Sequence, residues 1–239
     1  MKIILNPKYE RLRGYMQNLE EHFEKEGHEI HAGRNNLRTL HTDGLTLCVK
    51  RYAPASLKRE VQQALYKSSK GKLAYLSPML LRERGFESPE SVALVIYRRH
   101  LWRTTSYFVC LHSDYRYSME DISSHTPEEQ DELIACFARY AARLHDDGFM
   151  HRDFSSSNIL YDKIDGRYHF SLIDTNTLQC GRSVSIEAGC RNLAQLTGDD
   201  AFFSRLATHY AQARGADVAL CAQLITQARL KASNQQPRP

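Results

Sequence analysis

The stretch His151-Arg152-Asp153-Phe154-Ser155-Ser156-Ser157-Asn158 decides the fold, and Leu172-Ile173-Asp174 follows it farther along the chain. These residues form the order H-R-D-x-x-x-x-N, then a short hairpin, then a strand that ends in Asp. Phosphoryl transfer from a nucleoside triphosphate needs a carboxylate to accept the proton of the attacking hydroxyl, and oxygen ligands to hold magnesium against the phosphates. The pattern therefore assigns Asp153 as the catalytic base, and Asn158 and Asp174 as the magnesium ligands.

The segments on either side of this loop carry clear signals of secondary structure. Thr126-Pro127-Glu128-Glu129 is a capping box with Pro at the first helical position, so a long helix is predicted to begin there. After the loop, Ile159 to Tyr161 predicts a strand and Tyr168 to Ile173 its return strand. Asp162 and Asp165 are assigned as residues of the connecting turn. This order of elements resembles the C-terminal lobe of protein kinases.

The composition limits the class of protein. The chain has 239 residues, of which 42% are hydrophobic and 25% charged, enough for one compact unit or two small lobes. The formal charge of +4 suits anionic ligands without arguing for nucleic acid. We expect a monomer that binds no nucleic acid. The six cysteines include no C-x-x-C pair and are typical of reduced thiols in a cytoplasmic protein. Because no stretch is apolar over transmembrane length, we expect membrane contact only at the periphery.

The N-terminal half predicts a helix followed by an antiparallel sheet. Residues 9–26 form a charged, partly amphipathic pattern that predicts one helix. Residues 28–52 predict three short strands, with a hairpin turn at Asp43-Gly44 between the second and the third. Ser91 to Arg99 and Thr104 to Leu111 predict the fourth and fifth strands, so a five-stranded sheet is expected.

Two parts of this sheet are candidates for binding phosphate. Lys50 ends an alternating apolar run, as a lysine does in the V-A-I-K pattern of kinases, where it neutralises the α- and β-phosphates. The second candidate is the loop that joins the first two strands, whose polar side chains could contact phosphate. The alternative is that this loop is only a polar hairpin tip without a function. The side chains of that loop proposed as phosphate contacts are Arg34, Asn35 and Asn36.

The kinase pattern needs further groups around this lysine. A helix glutamate normally holds it, and Glu60 is only a candidate, because it follows Lys50 so closely in the sequence; the partner stays unassigned. The segment from His112 to Tyr115 is the expected hinge, whose backbone would bind adenine. Val49 and Leu160 are the apolar residues expected to enclose the base.

The segment after Asp174 indicates the class of acceptor. Protein kinases continue with D-F-G and a long activation segment to A-P-E, which builds the peptide-docking surface. Here Thr and Asn follow Asp174, no A-P-E occurs, and Gly181 to Leu196 leads directly to two closing helices. We therefore expect a small molecule, a sugar or a glycolipid as acceptor. The second closing helix is predicted to end near Lys231, before a disordered polar tail.

Several motifs together resemble the bacterial lipopolysaccharide core kinases, which are the Kdo and heptose kinases. The likeness runs from about residue 28 to about residue 212. The residues that carry it are Val49-Lys50-Arg51-Tyr52, Gly85 and Pro89, Leu144-His145, Gly148-Phe149-Met150-His151-Arg152-Asp153, Asn158-Ile159-Leu160 and Ile173-Asp174. The catalytic loop identifies the kinase superfamily, and the remaining motifs add specificity for this family.

This resemblance implies an α+β, two-lobed protein-kinase-like fold with a small antiparallel-sheet N-lobe and a mainly helical C-lobe. It implies phosphorylation of a sugar hydroxyl on the Kdo–lipid A inner core, with ATP and Mg²⁺ as cofactors. The place implied is the cytoplasmic face of the inner membrane of a Gram-negative bacterium. Asp153 would be the base, Asn158 and Asp174 the metal ligands, and Lys50 the phosphate anchor. The family's helix glutamate would fall near Ala74-Tyr75, where this chain has no acid.

The expected organisation has four parts: an N-terminal helix over residues 1–27, an N-lobe over 28–113, a C-lobe over 114–231 and a tail over 232–239. ATP is expected between the two lobes. Three alternatives stay open at this point: an atypical Ser/Thr/Tyr protein kinase, a kinase of a soluble small molecule, and a pseudokinase that binds nucleotide without transferring phosphate.

Overall fold

The computed structural model describes residues 1–31, 36–52, 70–100 and 103–235. The chain divides into two compact units. Unit 1 consists of Met1–Asp114 with Asp174–Asn176, and unit 2 of Tyr115–Ile173 with Thr177–Pro239. Glu60, Arg34 and Asn35 lie outside the described residues.

Unit 1 is built on an antiparallel sheet of six strands, where the sequence predicts five. The extra strand is at the N-terminus and pairs with the fifth strand in the chain, with Ile3 opposite Val95. Its four residues are too few to show an alternating pattern. The strands are β1 (Lys2–Leu5), β2 (His28–His31), β3 (Asn36–Thr42), β4 (Leu45–Tyr52), β5 (Ser91–His100) and β6 (Arg103–Leu111), in the order β1-β5-β6-β4-β3-β2.

The two faces of β4 have different roles. Leu47 and Val49 are fully buried in the hydrophobic core of unit 1. Because successive side chains of a strand point to opposite faces, Cys48 and Lys50 lie on the other face. The prediction that Val49 encloses the adenine is therefore wrong, since its side chain points away from the face that presents Lys50.

The predicted N-terminal helix is broken into three pieces that belong to unit 1. A 3-10 turn (Pro7–Leu12) leads into α1 (Arg13–Gln17) and α2 (Leu19–Lys25), with Asn18 between the two helices at φ −106°. The helical spacing of the apolar residues is nevertheless meaningful, because these side chains all pack into the core beside the sheet. Asn has a low helix propensity, which favours a break at this position. The packed side chains are Tyr9, Leu12, Met16, Leu19 and Phe23.

One more helix of unit 1 lies in the part of the chain that the structure describes. It is α3 (Lys70–Glu83), which packs against β5 and β6. The Ser91 hydroxyl of β5 donates to the carbonyl of Tyr75 on this helix at 2.8 Å, which fixes the helix against the edge of β5. Ala74 and Tyr75 are both buried, so the helix presents apolar side chains to the sheet where the resemblance places a glutamate.

Unit 2 is mainly helical and is built around α4 (Pro127–Asp146). The predicted capping box is confirmed, because the Thr126 hydroxyl accepts from the Glu129 amide and the Glu129 carboxylate accepts from the Thr126 amide. The helix packs against α6 (Asp200–Arg214), which also contacts α7 (Val218–Gln235). Helix α7 continues past Lys231 to Gln235, so the part of the predicted tail up to Gln235 is helical. The fourth helix of the unit is α5 (Ile186–Leu193).

Two small sheets complete unit 2. In one, β9 (Ile159–Ile164) lies between β10 (Arg167–Leu172) and β7 (Tyr117–Ser118). In the other, β8 (Phe149–His151) pairs with β11 (Leu178–Cys180). The predicted hairpin turn is confirmed, with Asp165 at φ 49° and Gly166 at φ 74°.

The prediction that Asp162 is a turn residue is wrong. Asp162 is a buried residue of β9. The guanidinium of Arg116 binds its carboxylate through two nitrogens, at 2.9 Å from Nε and 2.6 Å from Nη2. This bond lowers the pKa of Asp162 to about 2. The partner lies far away in the sequence, so no local pattern indicates it. Among the helices that the structure describes, none is long and apolar enough to cross a membrane.

Candidate active site

The catalytic loop of unit 2 brings Asp153 and Asn158 together directly. The Asn158 side-chain amide donates to the backbone carbonyl of Asp153 at 3.0 Å, and the Asn158 backbone amide donates to the carbonyl of Ser155 at 3.0 Å. The Asp153 side chain is exposed. Because the amide nitrogen of Asn158 is bonded to the loop, its amide oxygen is the atom left to bind a cation or another donor.

The backbone of this loop is held from the segment around α5. Asn192 donates to the carbonyl of His151 at 2.8 Å, and the amide of Phe154 donates to the side-chain oxygen of Gln195 at 3.3 Å. The amide of Thr197 donates to the hydroxyl of the buried Ser156 at 2.9 Å. Three hydrogen bonds thus fix three successive parts of the loop.

His151 has the packing role expected for the first residue of the motif. Its ring is fully buried, and Nε2 lies 3.2 Å from the carbonyl oxygen of Ile173. This bond joins the start of the loop to the end of the β-hairpin that follows it. The Ile173 amide in turn donates to the carbonyl of Asn158 at 3.0 Å.

Behind the loop lies a chain of buried polar side chains that sequence analysis did not assign. Since Asn192 donates to His151, its oxygen accepts from His145 Nε2 at 3.1 Å. His145 Nδ1 then accepts from the Tyr210 hydroxyl at 2.8 Å, and that hydroxyl accepts from Arg214 at 2.7 Å. Burial and, to a smaller extent, the charge of Arg214 lower the pKa of His145 to about 4, against the opposing effect of the hydrogen bond with Asn192. The imidazole is therefore neutral at pH 7, as this bonding order requires.

In unit 1 the candidate phosphate lysine binds the candidate metal acid. Lys50 Nζ lies 2.7 Å from Asp174 Oδ1, and both side chains are partly exposed. Among the acids that the structure describes, Asp174 is the one that forms an ion pair with Lys50. Asp174 also accepts a hydrogen bond from the side-chain amide of Asn176. The ammonium group thus holds a carboxylate, although not a helix glutamate.

Asp174 has a backbone conformation that is unusual for a residue other than glycine. Its φ is 51°, in the left-handed region, which Asp and Asn adopt more readily than other residues with a side chain. Such conformations concentrate at functional sites. Burial and the nearby charge of Asp174 both raise the pKa of Tyr52, which lies on the same face of β4 as Lys50.

Asn176 is the residue of this cluster that sequence analysis missed. It is buried, and its amide bonds the Asp174 carboxylate on the same oxygen as Lys50. The only signal was the spacing Asp-x-Asn, which is too common to decide anything by itself. Asn36, a predicted phosphate contact, opens β3 and lies opposite Arg51 in the sheet rather than in the connecting loop.

The chemistry of these groups fits Mg²⁺ and a nucleoside triphosphate. Magnesium in such enzymes is bound through one or two protein oxygens and the substrate phosphates rather than by a cage of protein ligands. The Asp174 carboxylate and the Asn158 amide oxygen are hard oxygen ligands of this kind. The described parts of the chain contain no cluster of three His, Cys, Asp or Glu side chains that could hold a metal ion.

A sheet-based unit with a lysine on β4, and a helical unit with an H-R-D loop and a following Asn, define a kinase of the protein-kinase-like class. The model of the Lipopolysaccharide kinase (Kdo/WaaP) family matches residues 78–214, and the chain belongs to this family. It is accordingly an ATP-dependent kinase of lipopolysaccharide biosynthesis.

The structure is also similar to that of WaaP solved in complex with acyl carrier protein. The TM-score is 0.67 with 17% sequence identity, over 98% of this chain and 99% of that chain. A sequence comparison with curated proteins gives no match. The predicted α+β kinase-like fold and the resemblance to lipopolysaccharide core kinases are thereby confirmed.

Proposed function

We propose that this kinase transfers the γ-phosphate of ATP, in the presence of Mg²⁺, to a sugar hydroxyl of the lipopolysaccharide inner core, on Kdo or heptose attached to lipid A. The observation that carries the proposal is the H-R-D loop, in which the exposed Asp153 residue and the Asn158 amide are joined by a hydrogen bond in a chain of this family.

Each side chain has a role that follows from its chemistry. Asp153 orients the acceptor hydroxyl and accepts its proton, for which an exposed carboxylate is suited. Asn158 and Asp174 hold Mg²⁺, which would neutralise charge on the β- and γ-phosphates. Lys50 neutralises the α- and β-phosphates. Positioning and charge neutralisation supply most of the rate increase in such reactions.

The ion pair in unit 1 supports these roles. Lys50 and Asp174 neutralise each other at 2.7 Å, so neither charge needs a solvent counterion before nucleotide binds. On binding of MgATP, Lys50 would exchange the Asp174 carboxylate for phosphate oxygens, and the Asp174 carboxylate would be available to hold the metal. Because one attraction replaces another of the same kind, the exchange costs less than desolvating two isolated charges.

The proposed acceptor is a sugar because the segment after Asp174 is short. Residues 175–185 contain a 3-10 turn and β11, which pairs with β8, and α5 begins immediately afterwards. A protein kinase uses a longer segment ending in A-P-E to dock a peptide. We propose that the acceptor is a glycolipid, and that the enzyme therefore works in the cytoplasm at the inner membrane surface, bound peripherally.

The test is transfer of label from γ-labelled ATP to Kdo-lipid A in the presence of Mg²⁺. Asp153→Asn is expected to lower the rate by a factor on the order of 10³, because general-base assistance of this kind contributes about 10²–10⁴. Asp165→Asn is the matched control, since it makes the same change at a turn residue with left-handed φ, which Asn tolerates.

Three results would count against the proposal. A wild-type rate in Asp153→Asn would remove Asp153 from its role as base. Label in a soluble sugar or in the protein itself, with none in the lipid, would replace the acceptor and keep the kinase. Undiminished transfer in Asp174→Ala at low Mg²⁺ would remove Asp174 from the metal site.

A further inference from the structure

A pocket with a volume of about 520 Å³ lies between α4 and α6 in unit 2. The residues that line it belong to these two helices, which pack against each other, and none of them belongs to the catalytic loop. Ala142 of α4 and Ala213 of α6 are part of the lining, and their short side chains leave space between the helices. The volume is within the range of roughly 300–1,000 Å³ that is usual for sites of small ligands.

The polar side chains of the lining carry hydrogen-bond donors and an excess of positive charge. The donors are the side chains of Arg139, Arg143, His209 and Gln212. The carboxylate of the lining is that of Asp146, and Arg214 neutralises it, because Arg214 Nε lies 2.9 Å from Asp146 Oδ1. The pocket therefore presents two guanidinium groups together with a carboxylate that is already paired. Such a lining favours an anionic ligand.

The position of Arg139 is not explained by the stability of α4. Arg139 and Arg143 are four residues apart, so their Cβ atoms lie about 5–6 Å apart and the two like charges destabilise the helix. The helix dipole favours Arg143, which is in the last turn, but Arg139 lies nearly two turns before the end. The hydrogen bond that the structure shows for the Arg139 guanidinium goes to Cys136 Sγ at 3.1 Å, and sulfur is a weak acceptor. The positions three and four residues away along α4 carry no acid; they are Ala135, Cys136, Ala142 and Arg143.

We propose that this pocket binds a phosphomonoester, whose two negative charges are held by Arg139 and Arg143. A guanidinium group binds phosphate through two parallel hydrogen bonds, which suits a pair of arginines on one side of a helix. His209 and Gln212 bond the remaining oxygens or the group attached to the phosphate. The pocket has room for a glycerol or sugar unit beside the phosphate. The same phosphomonoester occurs in soluble glycerol and sugar phosphates and in the headgroup of phosphatidic acid.

The experiment measures binding to the folded full chain in two arms. In the first arm, glycerol 3-phosphate is titrated into the protein by calorimetry. In the second, the protein is sedimented with phosphatidylcholine vesicles that contain phosphatidic acid, or with vesicles of phosphatidylcholine alone. Phosphate transfer is not measured in either arm, so a failure of the proposed kinase function and a failure of this site are distinguishable.

Three variants locate the binding. Arg139→Gln is expected to weaken binding about tenfold or more, because it removes a charged donor of two hydrogen bonds. Arg139→Lys keeps the charge without the planar fork and is expected to weaken binding about threefold. Arg167→Gln is the matched control, since it removes the same charge from an exposed arginine of β10 in the same unit. Arg139 is exposed, and Gln and Lys have helix propensities similar to that of Arg, so the variants should fold.

Each outcome bears on the proposal. Binding of glycerol 3-phosphate that falls in Arg139→Gln and not in Arg167→Gln supports the site with a soluble ligand. The same dependence in sedimentation with phosphatidic acid, without binding of glycerol 3-phosphate, supports the site and assigns it to the lipid headgroup. Equal weakening in Arg139→Gln and Arg167→Gln would reduce the effect to net charge and overturn the site. Undiminished binding in Arg139→Gln, or no binding in either arm at millimolar phosphomonoester, would overturn it as well.

Discussion

The candidate catalytic residues of unit 2 and those of unit 1 are held in different ways. In unit 2, the loop that carries Asp153 and Asn158 is fixed by hydrogen bonds with Asn192, Gln195 and Thr197, and a chain of buried polar side chains lies behind it. In unit 1, Lys50 and Asp174 hold each other through a partly exposed ion pair. The loop of unit 2 is thus fixed by the protein itself, whereas the charges of unit 1 neutralise each other in a contact that we propose a ligand replaces.

The difference predicts where substitutions should act. A buried polar group that loses its partner costs about 1–3 kcal/mol, so damage behind the loop should lower the free energy of unfolding. A partly exposed ion pair contributes only about 0–1 kcal/mol to stability. Changes around Lys50 and Asp174 should therefore appear in metal and nucleotide binding, with little effect on the free energy of unfolding.

The largest effect is expected for Gly189→Ala in α5. A Cβ at Gly189 would overlap the Tyr210 hydroxyl and approach His145 Nδ1 to 3.0 Å. That hydroxyl has no room to retreat, because it is bonded to both His145 and Arg214. Overpacking and the broken hydrogen bond together should lower the free energy of unfolding by about 4 kcal/mol, measured by urea denaturation.

Gly14→Ala is the matched control for this substitution. Gly14 is a helical, exposed glycine in α1, and a Cβ added there would meet no atom within 4 Å. Alanine at this position should therefore be neutral or stabilise by a few tenths of a kcal/mol. A small effect of Gly189→Ala, similar to that of the control, would show that the network behind the loop adjusts readily and is not rigid.

The next effect is a dependence of stability on pH that originates at His145. Its pKa is about 4 in the folded protein, against the ordinary histidine value of 6.5 that applies to the unfolded chain. Between these values the unfolded state binds the proton and the folded state does not, so stability falls as the pH is lowered from 6.5 to 4. The loss should approach about 3 kcal/mol, measured by urea denaturation across this range.

Two variants separate this effect from the general acid sensitivity of the chain. His145→Gln should lower stability at pH 7 and flatten the dependence between pH 6.5 and 4, because the titrating group is gone. His41→Gln removes an exposed histidine of unit 1 and should leave the dependence as it is. Equal slopes in wild type and His145→Gln would mean that other groups produce the acid sensitivity.

The parts of the molecule that could be predicted from sequence are those encoded by neighbouring residues. The capping box at Thr126, the turn at Asp165-Gly166 and the H-R-D loop each depend on chemistry within a few positions. The predictions that failed concern residues whose contact partners are distant in the sequence. Strand β1 pairs with β5, and the Asp162 carboxylate binds Arg116, and neither contact leaves a local pattern.

The same reasoning explains what was missed within the site. Lys50 is predicted from the strand pattern that ends at it, and its acid is expected on a helix, whereas the acid that it contacts is Asp174. The opposite orientation of Val49 follows from alternation along β4, once Lys50 is placed on the other face. Residues that hold a candidate site residue or its loop through one hydrogen bond, such as Asn192 and Asn176, have no fixed spacing to identify them.

The smallest effect is expected for Asn176→Ala, and it tests the unit 1 side of the comparison. The substitution removes the Asn176 donor from Asp174 Oδ1 and leaves Lys50 in place. A carboxylate that is less well oriented should need about fivefold more Mg²⁺ for half-maximal binding of MgADP, which corresponds to about 1 kcal/mol. Calorimetric titrations of MgADP at several Mg²⁺ concentrations measure this directly, and Asn18→Ala, an exposed asparagine of the same unit, is the control. If Asn176→Ala and Asn18→Ala require the same Mg²⁺ concentration, Asn176 does not orient Asp174, and the contact with Lys50 is sufficient to do so.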